Sequence, residues 1–261
     1  MSVFEAFILG ILQGLTEFLP VSSSGHIELG KAVLGVEVQE DLSFTVVVHG
    51  ATVLSTIVVF RKDIWSLLKE AFKFQLNPST IYILQLAVSM IPVLIIGLFF
   101  KDQLEEIFFG NILIVGFMLL VTAALLGASQ LAKPKLGGIT FLKAFIIGIA
   151  QAIAVIPGIS RSGATIATAL MVGVNKEEAT RFSFLMVLVP ILGANLLDIL
   201  KNEGGAEASS SFMPLLVGFI AAFLSGLFAC SIMLRIVRKG KLGYFAIYCV
   251  IVGLIAIISS L

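Results

Sequence analysis

The sequence predicts an all-α polytopic membrane protein made of two inverted-topology repeats, each a re-entrant helix hairpin followed by three transmembrane helices. Three observations carry this. The chain is 59% hydrophobic and 13% charged, with a mean hydropathy of +1.10, a composition that lipid solvates and water does not. Residues 6–25 (AFILGILQGLTEFLPVSSSG) align without a gap onto residues 144–163 (AFIIGIAQAIAVIPGISRSG) at an offset of 138, with nine of twenty positions identical. Each copy also interrupts an apolar run with proline, glycine and serine, and paired interrupted segments in the two halves of a membrane protein point to its binding site.

Taken in order, residues 4–19 make a helix of about 24 Å at 1.5 Å per residue, short of the ~30 Å hydrocarbon core. Pro20 and the serines Ser22, Ser23 and Ser24 then break it. A second short helix runs from Gly25 to about Leu34 and stops at Gly35. Two half-length helices around a polar loop read as a hairpin that enters and leaves on one side, tolerated where the loop is buried in protein or faces a cavity. Spanning helices are expected near 43–60, 79–100 and 110–132. The second repeat follows with helix 141–156, a loop at Pro157 to Ser162, helix 163–172, and spans near 182–200, 212–234 and 242–260. Repeat one is thus 1–132 and repeat two 139–261, within one integral-membrane domain. The register persists at Gly35/Gly173, Glu40/Glu178 and Phe44/Phe182.

Loop charge sets the topology. Arg61, Lys62, Lys69 and Lys73, then Lys133, Lys135 and Lys143, then Arg235, Arg238, Lys239 and Lys241 mark cytoplasmic loops. The alternate loops are acidic, with Glu37, Glu40 and Asp41, then Asp102, Glu105 and Glu106, then Glu203 and Glu207. Three spans per half with non-crossing hairpins satisfy this alternation and place both termini outside. An odd number of spans inverts the second repeat, so the two serine loops approach the midplane from opposite faces. The first apolar segment starts at Val3 with no basic region before it and carries Gln13 and Glu17, so it is expected to stay on the protein. The net charge of +1, with basic residues confined to short loops, argues against nucleic-acid partners. Cys230 and Cys249 lie in apolar runs and read as packed thiols. A homodimer is compatible with the sequence, which contains nothing that specifies one.

The chemistry lies where the two copies differ. Glu17 follows Gln13 by four residues, so both project from one helical face, and an intramembrane carboxylate is a functional candidate by default. Its repeat mate is Val155. Arg161, whose mate is Ser23, needs an anionic partner, and its planar fork suits phosphate oxygens. Ser22, Ser23, Ser24 and Gly25 in one loop, and Gly158, Ser160, Ser162 and Gly163 in the other, present hydroxyls and backbone N–H groups at helix N-termini. Thr165 adds a hydroxyl one turn on. His26, opposite Ala164, is placed for general acid–base work near Ser22 or Ser23. His49 has no polar motif beside it and reads as a satisfied helix residue, and Asn195 and Asp198 read as rim groups at the outer interface.

Together these residues imply phosphoryl chemistry on a substrate drawn from the bilayer. Ser23 is the candidate nucleophile, activated by His26 or Glu17, with Arg161 and two helix N-termini stabilising the transferred group. A carboxylate facing an anion suggests protonation or a bridging Mg²⁺ or Ca²⁺ at Glu17, so serine and metal-activated water both stay open as nucleophile. Inverted repeats also occur in transporters, which makes a transporter or flippase of a lipid phosphate or other anion the alternative.

The runs QGLTEFLPVSSSGH and PGISRSGAT resemble the two signatures of the membrane-embedded undecaprenyl-diphosphate phosphatases of the bacitracin-resistance type, and the resemblance covers essentially the whole chain. It implies removal of the terminal phosphate of undecaprenyl diphosphate on the periplasmic side of the bacterial inner membrane, recycling the carrier lipid for peptidoglycan synthesis. It carries functional roles onto Glu17, Ser23, His26, Ser160, Arg161 and Thr165. Gln13 fills a position that is glutamate or glutamine in this pattern, which leaves one carboxylate where two would make a cation site. Glu28 departs from the apolar residue expected there. The type-2 phosphatidic-acid phosphatases also pair Ser-Gly-His with Ser-Arg, but their third motif needs a histidine and an aspartate where this chain has Ala167 and Met171.

Overall fold

The computed structural model describes residues 1–35, 42–73, 75–100, 103, 107, 110–132, 137–201 and 212–260. It is all-helical, with no strand among the described residues and a single parallel bridge between Gly137 and Val174. The acidic positions 37, 40, 41, 102, 105, 106, 203 and 207, with Lys133 and Lys135, lie outside the described residues, as does the Asp198 side chain.

The first hairpin is α1 (Val3–Phe18) and α2 (Ser23–Leu34), packed on each other. A capping box at Ser2 and Glu5 starts α1, and Pro20 follows its end. Next come α3 (Leu42–Val59), α4 (Arg61–Ala71), α5 (Pro78–Phe99) and α6 (Ile112–Leu131). The second hairpin is α7 (Phe141–Ile153) and α8 (Arg161–Met171), followed by α9 (Lys176–Met186), α10 (Leu188–Lys201), α11 (Phe212–Arg238) and α12 (Gly243–Ser259). Of these, α5, α6 and α11 are each long and apolar enough to cross a membrane, and α3 with α4 forms a pair bent by 75°.

One expected span is not a single helix. Residues 182–200 divide into α9 and α10 at Val187, and Pro190 supplies the reason. Its ring meets the carbonyl of the residue four before it, and it has no N–H to donate. Pro92 in α5 leaves that helix continuous, as tertiary packing in membrane helices allows.

Each hairpin leans on the other half. Helix α1 packs on α11, and its repeat counterpart α7 packs on α5. Both crossings are made at the same repeat position: a Cβ on Gly10 would lie 2.5 Å from the Gly218 carbonyl oxygen, and one on Gly148 would collide with the Ser89 carbonyl. Small residues let helix backbones approach, which replaces the hydrophobic drive that lipid removes. Phe44 and Phe182, repeat mates, are both fully buried. The basic loops gather at one end: Asp63 pairs with Arg181 at 2.9 Å, Arg238 with Glu177 at 2.5 Å, and Lys143 Nζ donates to the Gly138 carbonyl at 3.0 Å.

Candidate functional site

The two serine loops touch. A Cβ on Gly25 would sit 3.1 Å from Gly158 Cα, and Ser162 Oγ donates to the Leu19 carbonyl at 3.2 Å. Ser22 and Ser160, repeat mates, are the N-caps of α2 and α8, their Oγ atoms accepting from Gly25 N at 3.3 Å and Gly163 N at 3.1 Å. Two helix N-termini therefore meet at one place, each carrying the partial positive charge of its unpaired N–H groups. Ser24 Oγ lies 3.3 Å from Ser22 Oγ, and Ser162 Oγ lies 3.4 Å from Ser160 Oγ.

The loops hold their turns differently. In the first, Ser22 takes φ 71° and ψ 98°, the one positive-φ residue other than glycine among the described residues. Such a conformation costs on the order of 1–3 kcal/mol and persists where its surroundings over-determine it. In the second, Gly158 takes φ 94°, and an added Cβ would lie 2.6 Å from both Met118 Cβ and the Val115 carbonyl oxygen. Gly158→Ala is expected to lower the melting temperature of the detergent-purified protein and abolish activity with it, because backbone and helix α6 both refuse the methyl group. Wild-type melting in that variant would show that the loop re-forms without the positive φ.

Glu17 is the hub of the site and is buried. Its Oε2 accepts Ser23 Oγ at 2.6 Å and Gln13 Nε2 at 3.0 Å, and its Oε1 pairs with the Arg161 guanidinium. Three of the residues that differ between the repeats, Glu17, Ser23 and Arg161, thus form one cluster, with Gln13 steadying the carboxylate from one turn below. Gln13 Oε1 is buried with no hydrogen-bond partner among the described residues. The repeat mate Gln151 is buried with neither side-chain polar atom paired among them, and at the matching position one turn on, repeat two has Val155 in place of a carboxylate. A cavity of about 10 Å³ lies against Glu17, Arg161, Ser162 and Ser183, with Phe18 and Val187 on its apolar wall. That volume holds about one water.

His26 engages neither serine hydroxyl. Its Nδ1 lies 2.8 Å from the Ser22 carbonyl oxygen and its Nε2 2.8 Å from the Tyr248 hydroxyl. Thr165 Oγ1 donates to the Arg161 carbonyl at 2.8 Å and lies 2.5 Å from Ser183 Oγ, so its hydroxyl braces α8 against α9. Glu28 is buried beside buried Lys31 and accepts from the Gly110 backbone N–H, away from the cluster. His49 Nδ1 donates to the Thr45 carbonyl at 2.8 Å, and Asn195 reaches the Val46 carbonyl at 3.4 Å. Cys230 and Cys249 are buried and unbridged.

Three supporting hydroxyls are invisible to sequence reasoning. Thr122 on α6 donates to the Gly158 carbonyl at 3.0 Å and accepts from Ser160 N at 2.9 Å, stapling the second loop. Ser183 stands in the charged helix α9 and Tyr248 in the apolar helix α12, neither within a motif, and their long-range partners are set by packing alone.

As for a divalent cation, no group of three or more His, Cys, Asp or Glu side chains suited to a metal occurs among the described residues. The donors present are Glu17 and the unpaired Gln13 Oε1, a set that fits a hard cation sharing its remaining ligands with substrate phosphate and water.

The bacitracin resistance protein BacA family model matches residues 6–255. Relatives named undecaprenyl-diphosphatase include one from Parabacteroides distasonis, 55% identical over 100% of this chain and 99% of its own length. Another, from Bacteroides thetaiotaomicron, is 54% identical over the full length of both. One from Korarchaeum cryptofilum is 40% identical, again over the full length of both. With Glu17, Ser23 and Arg161 gathered between two helix N-termini, and with matches that run the length of the chain, this protein belongs to the BacA bacitracin-resistance family.

Proposed function

We propose that the chain is an integral-membrane phosphatase that hydrolyses undecaprenyl diphosphate to undecaprenyl phosphate and inorganic phosphate. The observation that carries this reading is the 2.6 Å hydrogen bond from the Ser23 hydroxyl to the Glu17 carboxylate, beside an arginine and two helix N-termini. The full-length relatives named undecaprenyl-diphosphatase support it. The two hairpins are read as re-entrant halves of an inverted repeat in the bacterial inner membrane, with both termini and the site open to the periplasm. The gathering of basic loops at the opposite end supports that orientation.

Ser23 Oγ attacks the terminal phosphorus while Glu17 accepts its proton, and the bond to the bridging oxygen breaks with its electron pair leaving on the lipid monophosphate. Arg161 and the N-termini of α2 and α8 stabilise the equatorial oxygens of the transferred group. After the lipid leaves and Glu17 has released its proton, water attacks the phosphoserine and passes a proton through Glu17 to the departing Ser23 oxygen. A Mg²⁺ or Ca²⁺ held by Glu17 and Gln13 would supply charge neutralisation on the diphosphate. The cavity against Glu17 and Arg161 holds about one water, and a phosphoryl group arriving beside it competes with the Glu17 carboxylate for Arg161. The salt bridge is thus a plug that an anion competes open.

Phosphate release from undecaprenyl diphosphate by purified protein in detergent, with and without chelator, tests the reading. Acid quenching with labelled terminal phosphate is expected to trap label on Ser23, whereas turnover without trapped label would favour a water nucleophile. Wild type that releases no phosphate yet moves the lipid across reconstituted vesicles would establish the transporter alternative. A cysteine placed at Glu105 is expected to react with an impermeant label only from the periplasmic side.

A further inference from the structure

The hydrogen bonds around His26 do not resemble those of a base waiting for a serine proton. A carbonyl oxygen only accepts, so the 2.8 Å contact to Ser22 requires the proton on Nδ1. In the neutral ring Nε2 then carries a lone pair, and the Tyr248 hydroxyl 2.8 Å away donates to it. The two rings also stack, with centroids 5.6 Å apart and planes 11° from parallel. The carbonyl held by His26 belongs to the residue in the positive-φ conformation, immediately before the nucleophilic serine. Helix α12 makes a second contact to the same loop from the neighbouring position, Cys249 Sγ donating to the Pro20 carbonyl at 3.7 Å.

We infer that Tyr248 is a positioning residue for the phosphatase reaction, donating to the Nε2 lone pair of His26 and so holding in place the imidazole whose Nδ1–H pins the strained Ser22 carbonyl, which aims the Ser23 hydroxyl at Glu17. This rests on the hydrolase reading for its kinetic consequence, though not for the hydrogen-bond chain itself. The chain runs Tyr248 hydroxyl, His26 Nε2, His26 Nδ1–H, Ser22 carbonyl. It spans both halves of the protein, since a residue of repeat two sets the geometry of a loop in repeat one. His26 in this arrangement is a brace, and Glu17 alone receives the Ser23 proton. Tyrosine suits the task because its ring packs on the imidazole while its hydroxyl supplies the donor.

Tyr248→Phe keeps the ring and removes the donor. Losing one such hydrogen bond is expected to lower kcat about 3- to 10-fold, with KM changed less than about twofold because phosphate binding lies with Arg161. In a His26→Gln background the same substitution is expected to add nothing, since the chain is already cut. The spectroscopic arm is direct, because the chain has two histidines and a His49→Gln variant assigns them. In protein labelled with ¹⁵N-histidine, wild-type His26 should show protonated Nδ1 and a hydrogen-bonded Nε2, and Tyr248→Phe should move Nε2 to the position of a free imine nitrogen. An unchanged Nε2 signal, an equal kcat loss in both backgrounds, or a loss confined to KM would each overturn the inference. If wild type releases no phosphate, the hydrolase reading fails, and the nitrogen signal by itself decides whether the Tyr248 hydroxyl holds His26 Nε2.

Discussion

Glu17→Gln is expected to lower kcat for phosphate release by about 10²- to 10⁴-fold, the range that a positioned general base contributes. The carboxylate serves three partners at once: Ser23 Oγ and Gln13 Nε2 on one oxygen, and Arg161 on the other. Glutamine can present one oxygen only, so its amide nitrogen must face a donor on one side. If that nitrogen turns toward Arg161, the guanidinium loses its acceptor; if it turns toward Ser23, the nucleophile loses its base. Breaking a buried ion pair by neutralising one member costs about 3–5 kcal/mol, so the melting temperature is expected to fall as well. Stability and chemistry separate in the double variant Glu17→Gln with Arg161→Gln, which should regain stability without regaining turnover. Activity above a tenth of wild type in well-folded Glu17→Gln would remove Glu17 from the role of base.

Arg161→Ala is the second large effect, expected at about 10²- to 10³-fold in kcat/KM, the size of removing one preorganised donor from a developing oxyanion. Here the loss should appear in both binding and turnover, because the guanidinium meets the phosphoryl group in the ground state and follows it through the transition state. Arg161→Lys restores the charge but not the planar fork, so it should recover only part of the loss. Removing the arginine also removes the plug over the cavity. Because the guanidinium is also the cation that would hold an anion there, inorganic phosphate should bind no better than to wild type, although the space is more open. Full activity in Arg161→Ala would exclude the residue from the anion site.

Glu17, Ser23 and Arg161 were legible from sequence because the duplication served as an internal control, and Gln13 because it lies four residues before Glu17 on the same helical face. Positions that keep their identity across the 138-residue offset, such as Gly10/Gly148 and Ser22/Ser160, turned out to be helix crossings and N-caps. Positions that differ, Glu17/Val155 and Ser23/Arg161, turned out to be the polar cluster. Pro190 was visible too, yet the run 182–200 reads as one span because its apolar character masks the break. His26 was legible as a polar residue in the right loop, but the direction of its ring was not. Its partner Tyr248 lies 222 residues away on a helix with no polar pattern, and Thr122 reaches the second loop from an equally featureless apolar helix.

The sequence by itself determined the membrane class, most of the helical elements though neither α4 nor the break at Val187, the two interrupted loops and the identity of the charged cluster, because hydropathy, proline and helix-capping chemistry act over a few neighbouring residues. Only the tertiary structure decided that Glu17 holds Ser23 and Arg161 together, that the Ser22 carbonyl and Tyr248 claim His26, and that hydroxyls from α6, α9 and α12 brace the two loops. Hydrogen bonds between helices depend on distances of a few tenths of an ångström across packed surfaces, and glycine-mediated crossings, not local sequence, set those distances.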